Sequence, residues 1–89
     1  MQHIARLRLV TLALDQGDLK LADQLLKIQP MGGFESRYDE LRGDIFTARN
    51  DLKNARNVYQ SALENAAAGS VAAQILERKL NSVRRGEDR

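Results

Sequence analysis

Apolar residues recur at steps of three and four along the whole chain and never alternate with polar residues for long. This spacing is typical of amphipathic helices and not of strands. Together with the turn residues that interrupt it, the pattern predicts five helices and no strand. The predicted helices cover about residues 2–16, from the turn at 17–18 to residue 28, 35–48, 52–67 and 71–84.

Turn and cap residues mark where these predicted helices begin and end. Gly17 and Asp18 separate the first two helices, and Pro30 ends the second because it disfavours helix in the residue before it, leaving 29–33 as a loop. Asn50 tolerates a left-handed backbone, and Ser70 is a good N-cap for the last helix. The positions that we expect to face inward are Leu21, Ala22, Leu25, Leu26 and Ile28; Tyr38, Leu41, Ile45 and Phe46; Ala55, Val58, Tyr59, Ala62 and Leu63; and Val71, Ile75, Leu76, Leu80 and Val83.

Two stretches of the chain repeat one pattern. Residues 16–22 and 49–55 share aspartate, leucine, lysine and alanine in the same order, and the offset from Ala22 to Ala55 is 33 residues. A period near 34 built from helix, polar turn and helix is the signature of tetratricopeptide (TPR) repeats. We therefore expect an all-α, TPR-like fold in which two antiparallel helix hairpins and a C-terminal capping helix form a right-handed superhelical stack. The single domain covers 1–85, with repeat one at 2–30, repeat two at 34–67, the cap at 70–84 and a flexible tail at 86–89.

The second predicted repeat fits the TPR pattern better than the first. Gly43 occupies the small position where the two helices of a repeat approach closely, and Tyr59 occupies the aromatic position of the second helix. The first repeat lacks both the glycine and the aromatics, so it is a divergent copy. The remaining packing positions are Phe46, Ala55 and Ala62 in the second repeat and Val10, Ala13, Ala22 and Leu26 in the first.

Three segments carry a family resemblance: IARLRLV at 4–10, DELRGDI at 39–45 and RKLN at 78–81. In order and spacing they resemble the C-terminal TPR-like domain of the YfgM-type ancillary translocon subunits. The resemblance implies a place on the periplasmic side of the bacterial inner membrane and association with the SecYEG channel and the chaperone PpiD. It also implies an N-terminal membrane span, which would lie before this chain; we expect the chain to begin mid-protein because no capping residue precedes Ile4. The turn at 49–51 departs from the usual Gly-Asp pair, and we expect it to be altered.

Composition argues against catalysis and against bound cofactors. The chain has 89 residues, a net charge of +2 and no cysteine, so thiol catalysis and zinc-thiolate sites are excluded. His3 is the only histidine, which rules out a His-dependent triad. Gly32-Gly33 lacks the lysine of a phosphate-binding loop, and Arg42-Gly43-Asp44, although it spells a cell-adhesion tripeptide, is explained by helix packing. We expect no enzyme activity, no cofactor and no metal.

The proposed activity is protein binding on the inner face of the superhelix, which the first helix of each TPR unit lines. Leu7 and Leu14 have an alternative explanation, since they could instead pack against an upstream repeat. Two other functions remain open: a structural oligomerisation domain, and a basic module that binds nucleic acid through helix five, although no aromatic residue accompanies its cations. The predicted contact residues are Leu7, Thr11, Leu14, Arg37, Glu40, Asp44 and Thr47, and the basic residues near the C-terminus are Arg78, Lys79, Arg84, Arg85 and Arg89.

Overall fold

The computed structural model describes residues 2–27 and 34–87, and every regular element in these ranges is an α-helix. The prediction of an all-α fold is confirmed. The predicted loop at 29–33 and the inward position predicted for Ile28 lie outside the described residues. In chain order the helices are α1 (Gln2–Asp15), α2 (Leu19–Leu25), α3 (Glu35–Ala48), α4 (Leu52–Asn65) and α5 (Val71–Glu87).

The helices pack as two hairpins and a C-terminal capping helix. α1 pairs with α2, α3 pairs with α4, and α3 also contacts both helices of the first hairpin, whereas α5 packs on α4. One apolar cluster lies between the first hairpin and α3, and a second lies between α4 and α5. Each unit thus buries its apolar face against its neighbour, which is how helical repeats are stabilised. The buried residues are Val10, Ala13, Ala22, Leu26, Tyr38, Leu41 and Ile45 in the first cluster and Ala55, Tyr59, Ala62, Leu76, Leu80 and Val83 in the second.

The turns inside the two hairpins have the same geometry. Gly17 and Asn50 adopt left-handed φ angles of 76° and 60°. The next residues, Asp18 and Asp51, cap the following helices by accepting a backbone N–H three residues on, at 3.1 and 3.4 Å. Their own N–H groups donate five residues back, each at 2.8 Å. The expected alteration of the second turn is therefore wrong, because Asn50 takes the conformation of the glycine.

Asn50 gives a test of this turn. Asn50→Ala is expected to lower the free energy of unfolding by about 1 kcal/mol, because a Cβ-bearing residue without a local side-chain hydrogen bond is disfavoured in the left-handed region. Asn50→Gly should be as stable as the natural chain or slightly more so. Urea unfolding measures both, and Arg49→Ala, at an exposed position with φ of −87°, is the matched control. Equal stability of the alanine and glycine variants would contradict the role given to this turn.

Three apolar residues that were expected to face inward are exposed, and those predictions are wrong. Leu21 is 41 % exposed, Val71 is 72 % exposed and Ile75 is 40 % exposed. α5 packs on α4 with one side only, so a narrow stripe beginning at Ala73 is covered and the residues beside that stripe are exposed. Ala22 in α2 and Leu26, the residue that follows α2, are buried one turn apart, and Leu21 lies beside them.

The last helix extends further than the pattern predicted, and two others end earlier. α5 continues to Glu87, so residues 86–87, which were assigned to a flexible tail, are helical; 88–89 lie outside the described residues. Gly86 lies against the Leu52 side chain, and Glu87 forms an ion pair with Arg56 at 3.0 Å. These contacts hold the end of α5 on the start of α4. By contrast, α2 ends at Leu25 and α4 at Asn65, two or three residues before the predicted ends.

Candidate protein-binding site

Four of the predicted contact residues lie along one side of α3, and the structure joins them in one polar network. Arg37 donates to Glu40 at 2.7 Å, one turn further along the helix. Asp44 follows after another turn, and Thr47 lies one turn beyond it, with its hydroxyl 2.8 Å from the Gly43 carbonyl to which it donates. The spacing of three and four residues puts all of these side chains on one face of the helix.

Lys79 of α5 reaches across to this face. Its Nζ lies 2.7 Å from the Glu40 carboxylate and 3.0 Å from both oxygens of Asp44. It also lies 6.0 Å from the centroid of the Tyr59 ring. Sequence reasoning grouped Lys79 only with the basic residues near the C-terminus and did not connect it with the third helix. The sequence does contain a signal, because Lys79 follows the buried Leu76 by three residues and therefore borders the buried stripe.

Burial and hydrogen bonding in the network shift the pKa values of Glu40, Lys79 and Tyr59. Burial alone would raise the pKa of Glu40, but hydrogen bonds from Lys79 and Arg37 outweigh it and lower that pKa below 4.5. Burial alone would lower the pKa of Lys79, but its hydrogen bonds to Glu40 and Asp44 raise it above 10.5. Burial and the hydrogen bond donated to Asp44 both raise the pKa of Tyr59. At neutral pH, the carboxylate of Glu40 and the ammonium group of Lys79 are therefore charged and paired.

Tyr59 connects this network to the crossing of α3 and α4. Its hydroxyl donates to Asp44, and its ring lies so close to Gly43 that a Cβ there would be 2.4 Å from a ring carbon. Gly43 therefore occupies a close helix approach, as the sequence predicted. The side of α3 that carries the predicted contact residues is fixed by this crossing and by α5.

An open groove of about 340 Å³ lies beside the network, where the start of α3 meets the end of α4 and the start of α5. Arg37 stands at its edge with 47 % of its side chain exposed, and Glu40 forms part of its wall. Ser36 is held by a 2.9 Å hydrogen bond to the Ala62 carbonyl, and Ser70 caps α5 at the Ala73 N–H, as predicted. Most of the other lining side chains are small, and the groove is open to solvent. The lining residues are Ser36, Arg37, Glu40, Asn65, Ala66, Ala67, Ser70 and Ala72.

The predicted contact residues of α1 do not join this site. Leu7 and Leu14 are half-buried and pack against the first apolar cluster of their own chain. Thr11 is exposed, and its hydroxyl donates to the Leu7 carbonyl at 2.9 Å. The exposed large apolar residues of α1 are instead Ile4, Leu9 and Leu12. Sequence periodicity did not identify them because leucines occur on both sides of this helix.

The basic residues of α5 do not form one uniform patch. Lys79 is paired with α3, and Arg84 lies 3.4 Å from the Gln60 side-chain oxygen to which it donates. Arg78 and Arg85 are exposed, and Arg89 lies outside the described residues. In the described part of the chain, no group of three or more potential metal ligands comes together. None of the described helices has both the length and the apolar composition to cross a membrane.

Stacked helix hairpins with an open groove beside the first helix of the second hairpin define a helical-repeat protein. The chain belongs to the tetratricopeptide repeat-like domain family, whose model matches residues 1–85. It is 31 % identical over 83 residues to an ancillary SecYEG translocon subunit of Aggregatibacter actinomycetemcomitans. That match covers 93 % of this chain and 40 % of the relative, so the chain spans well under half the relative's length. No solved structure matches the chain. The family resemblance found in the sequence is confirmed.

Proposed function

We propose that this chain is a non-enzymatic protein-protein interaction scaffold, acting as the periplasm-facing part of an ancillary translocon subunit at the bacterial inner membrane. Its membership of the TPR-like family supports the scaffold role, since such repeats bind other proteins on extended surfaces. The 31 % identity to an ancillary SecYEG translocon subunit supports the cellular setting. The partners proposed on this basis are the SecYEG channel and a PpiD-like periplasmic chaperone.

The observation that carries the proposal is the open groove between α3 and the loop before α5. Glu40 and Asp44 are already paired with Lys79, so they are not available as the main charges for a partner. Arg37 forms an ion pair with the largely buried Glu40, but about half of its own side chain is exposed and can contact a partner. A partner segment would therefore be oriented by Arg37 and would gain affinity from packing against the small side chains of the groove. Thr47, at the other end of the same helix face, extends this surface.

Photo-crosslinking in native membranes tests the proposal. A photoreactive residue is placed at Ala67 and at Ala72, which line the groove, and at Thr47; all three are exposed, and the ion pairs of Arg37 and Lys79 stay intact. The expected result is covalent adducts with a channel subunit or a periplasmic chaperone from these three positions. Lys53, an exposed residue of α4 that is not among the groove-lining residues, is the matched control and should give little or no adduct.

Two outcomes would argue against the proposal. Adducts that form equally well from Lys53 would show that contact is not specific to the groove side. Adducts that contain no component of the export machinery would leave a protein-binding scaffold and would remove the proposed translocon role.

A further inference from the structure

α1 has a second apolar side that none of the other described residues covers. Leu7, Val10 and Leu14 pack into the first apolar cluster, whereas Leu9 and Leu12 point away from it and are each 52 % exposed. With Ala5 before them and Gln16 after them, both exposed, they form a strip at spacings of four, three and four residues. This is the spacing of the contact positions of two helices packed side by side. We call residues 5, 9, 12 and 16 the α1 strip.

Two opposite charges border the α1 strip. Arg8 and Asp15 are exposed, lie seven residues apart and so stand on the same edge of the helix. Neither forms a hydrogen bond or ion pair with any described residue. In paired helices, charges that flank the apolar contact positions determine which helix binds and in which direction. Arg8 and Asp15 are placed to act in this way.

We propose that the α1 strip binds a second copy of this chain, with the two α1 helices antiparallel about a two-fold axis. In that register Leu9 of each copy meets Leu12 of the other, which gives two equivalent apolar layers. The same register brings Arg8 of each copy opposite Asp15 of the other, so two equivalent ion pairs form. A parallel arrangement would instead place the Arg8 and Asp15 edges of the two copies on opposite sides of the interface, where they form no ion pair with each other. The charges therefore select the antiparallel dimer.

The surface beside the strip has a shape that suits this register. A shallow groove of about 210 Å³ lies between α1 and α2 and is lined by Ala5, Arg6, Leu9 and Leu25. Arg6 is held there by a 3.2 Å hydrogen bond to the Leu25 carbonyl, so it closes one wall. The antiparallel register brings Leu12 of the second copy to this groove. The side chain of one helix then fills a hole on the other, as in packed helix pairs.

This self-association goes beyond the proposed scaffold role and uses a different surface. The α1 strip lies on the first helix, whereas the groove proposed for partner proteins lies between α3 and α5. It also differs from the contact that the sequence suggested, since Leu7 and Leu14 are occupied within the chain. Because one helix face is smaller than a standard interface, the dimer is weak and depends on concentration.

Sedimentation equilibrium over a range of concentrations tests the dimer directly. The natural chain is expected to show a reversible monomer–dimer equilibrium. Leu12→Glu places two charges in the apolar layers and should raise the dissociation constant about 100-fold or more. Leu12 is half-exposed in the monomer, so the helical circular dichroism should be unchanged. Lys53→Glu, at an exposed site on α4, is the control and should leave the equilibrium as it is.

Charge exchange tests the direction of packing. Arg8→Asp alone or Asp15→Arg alone creates two like-charge pairs in the homodimer and should weaken it about tenfold. An equimolar mixture of the two single variants restores both pairs across the interface and should form a heterodimer as tight as the natural dimer. The double variant R8D/D15R should dimerise normally with itself.

Three results would overturn the proposal. The first is a natural chain that stays monomeric at all concentrations, in which case the α1 strip serves a different segment or protein. The second is a dimer that Leu12→Glu does not weaken. The third is a mixture of the two charge variants that associates no better than either variant alone.

Discussion

Gly43→Val is expected to lower the free energy of unfolding by about 3 kcal/mol or more, a large part of the total stability of a domain of this size. A Cβ at this position would lie 2.4 to 2.8 Å from three carbons of the Tyr59 ring, inside van der Waals contact. The ring cannot move away freely, because it is 2 % exposed and its hydroxyl donates to Asp44. α3 and α4 must therefore separate, and their separation disturbs both apolar clusters. Urea unfolding followed by circular dichroism measures the change.

Alanine substitutions separate this packing effect from helix propensity. Alanine favours helix over glycine by about 1 kcal/mol, so Gly43→Ala gains propensity while it strains the contact with Tyr59, and a modest net destabilisation is expected. At Gly86, also in a helix, the nearest obstacle to a Cβ is the end of the flexible Leu52 side chain. Gly86→Ala should therefore be neutral or stabilising. If Gly43→Ala is as stable as Gly86→Ala, the close crossing at Gly43 is not the constraint that the structure indicates.

Lys79→Met is expected to lower the free energy of unfolding by about 2 kcal/mol at pH 7, because it removes the cation that two carboxylates share and leaves Glu40 with Arg37 alone and Asp44 with no cation. The side chain of Glu40 is only 11 % exposed, and that of Asp44 is 26 % exposed, so solvent does not fully replace the lost partner. α5 would also lose its polar link to α3 and keep only its contacts with α4. Thermal unfolding of the natural and variant chains measures the difference. Arg78→Met, at the neighbouring exposed position, is the matched control and should change little.

The difference in free energy of unfolding between the natural chain and Lys79→Met should become smaller at low pH. The pKa of Glu40 is lowered in the folded chain, so its contribution to stability is present above pH 4.5 and is lost as the pH falls through the folded pKa. The gap between the natural chain and Lys79→Met should therefore be full near pH 7 and should narrow below pH 4.5. The pKa of Lys79 is raised in the folded chain, so its contribution to stability is present below pH 10.5. The natural chain loses this contribution as the pH rises through the folded pKa.

A double variant checks that the loss comes from the unpaired charge. Glu40→Gln removes one of the two carboxylates, so Glu40→Gln/Lys79→Met should be more stable than Lys79→Met alone. A pH-independent gap, or a double variant that is no more stable than the single one, would mean that the packing of the lysine stem accounts for its effect.

The sequence by itself determined the helices, the positions of the turns and the repeat. These features depend on interactions within a few residues, such as the caps at Asp18 and Asp51 and the left-handed turns that precede them. The small and aromatic packing positions at Gly43 and Tyr59 could also be predicted, because the 33-residue offset places them in a known repeat pattern. Helical periodicity states which residues share a face, and that was sufficient to group Arg37, Glu40, Asp44 and Thr47.

Only the tertiary structure decided which of those faces are covered and by what. Lys79 is separated from Glu40 by 39 residues, so their ion pair depends on how α5 sits beside α3, which no local pattern encodes. Leucines occur on both sides of α1, and only the stack shows that Leu7 and Leu14 face inward while Leu9 and Leu12 do not. Periodicity gives the direction of a side chain around its own helix axis. The position of that helix in the stack then determines whether the side chain meets solvent or a neighbouring helix.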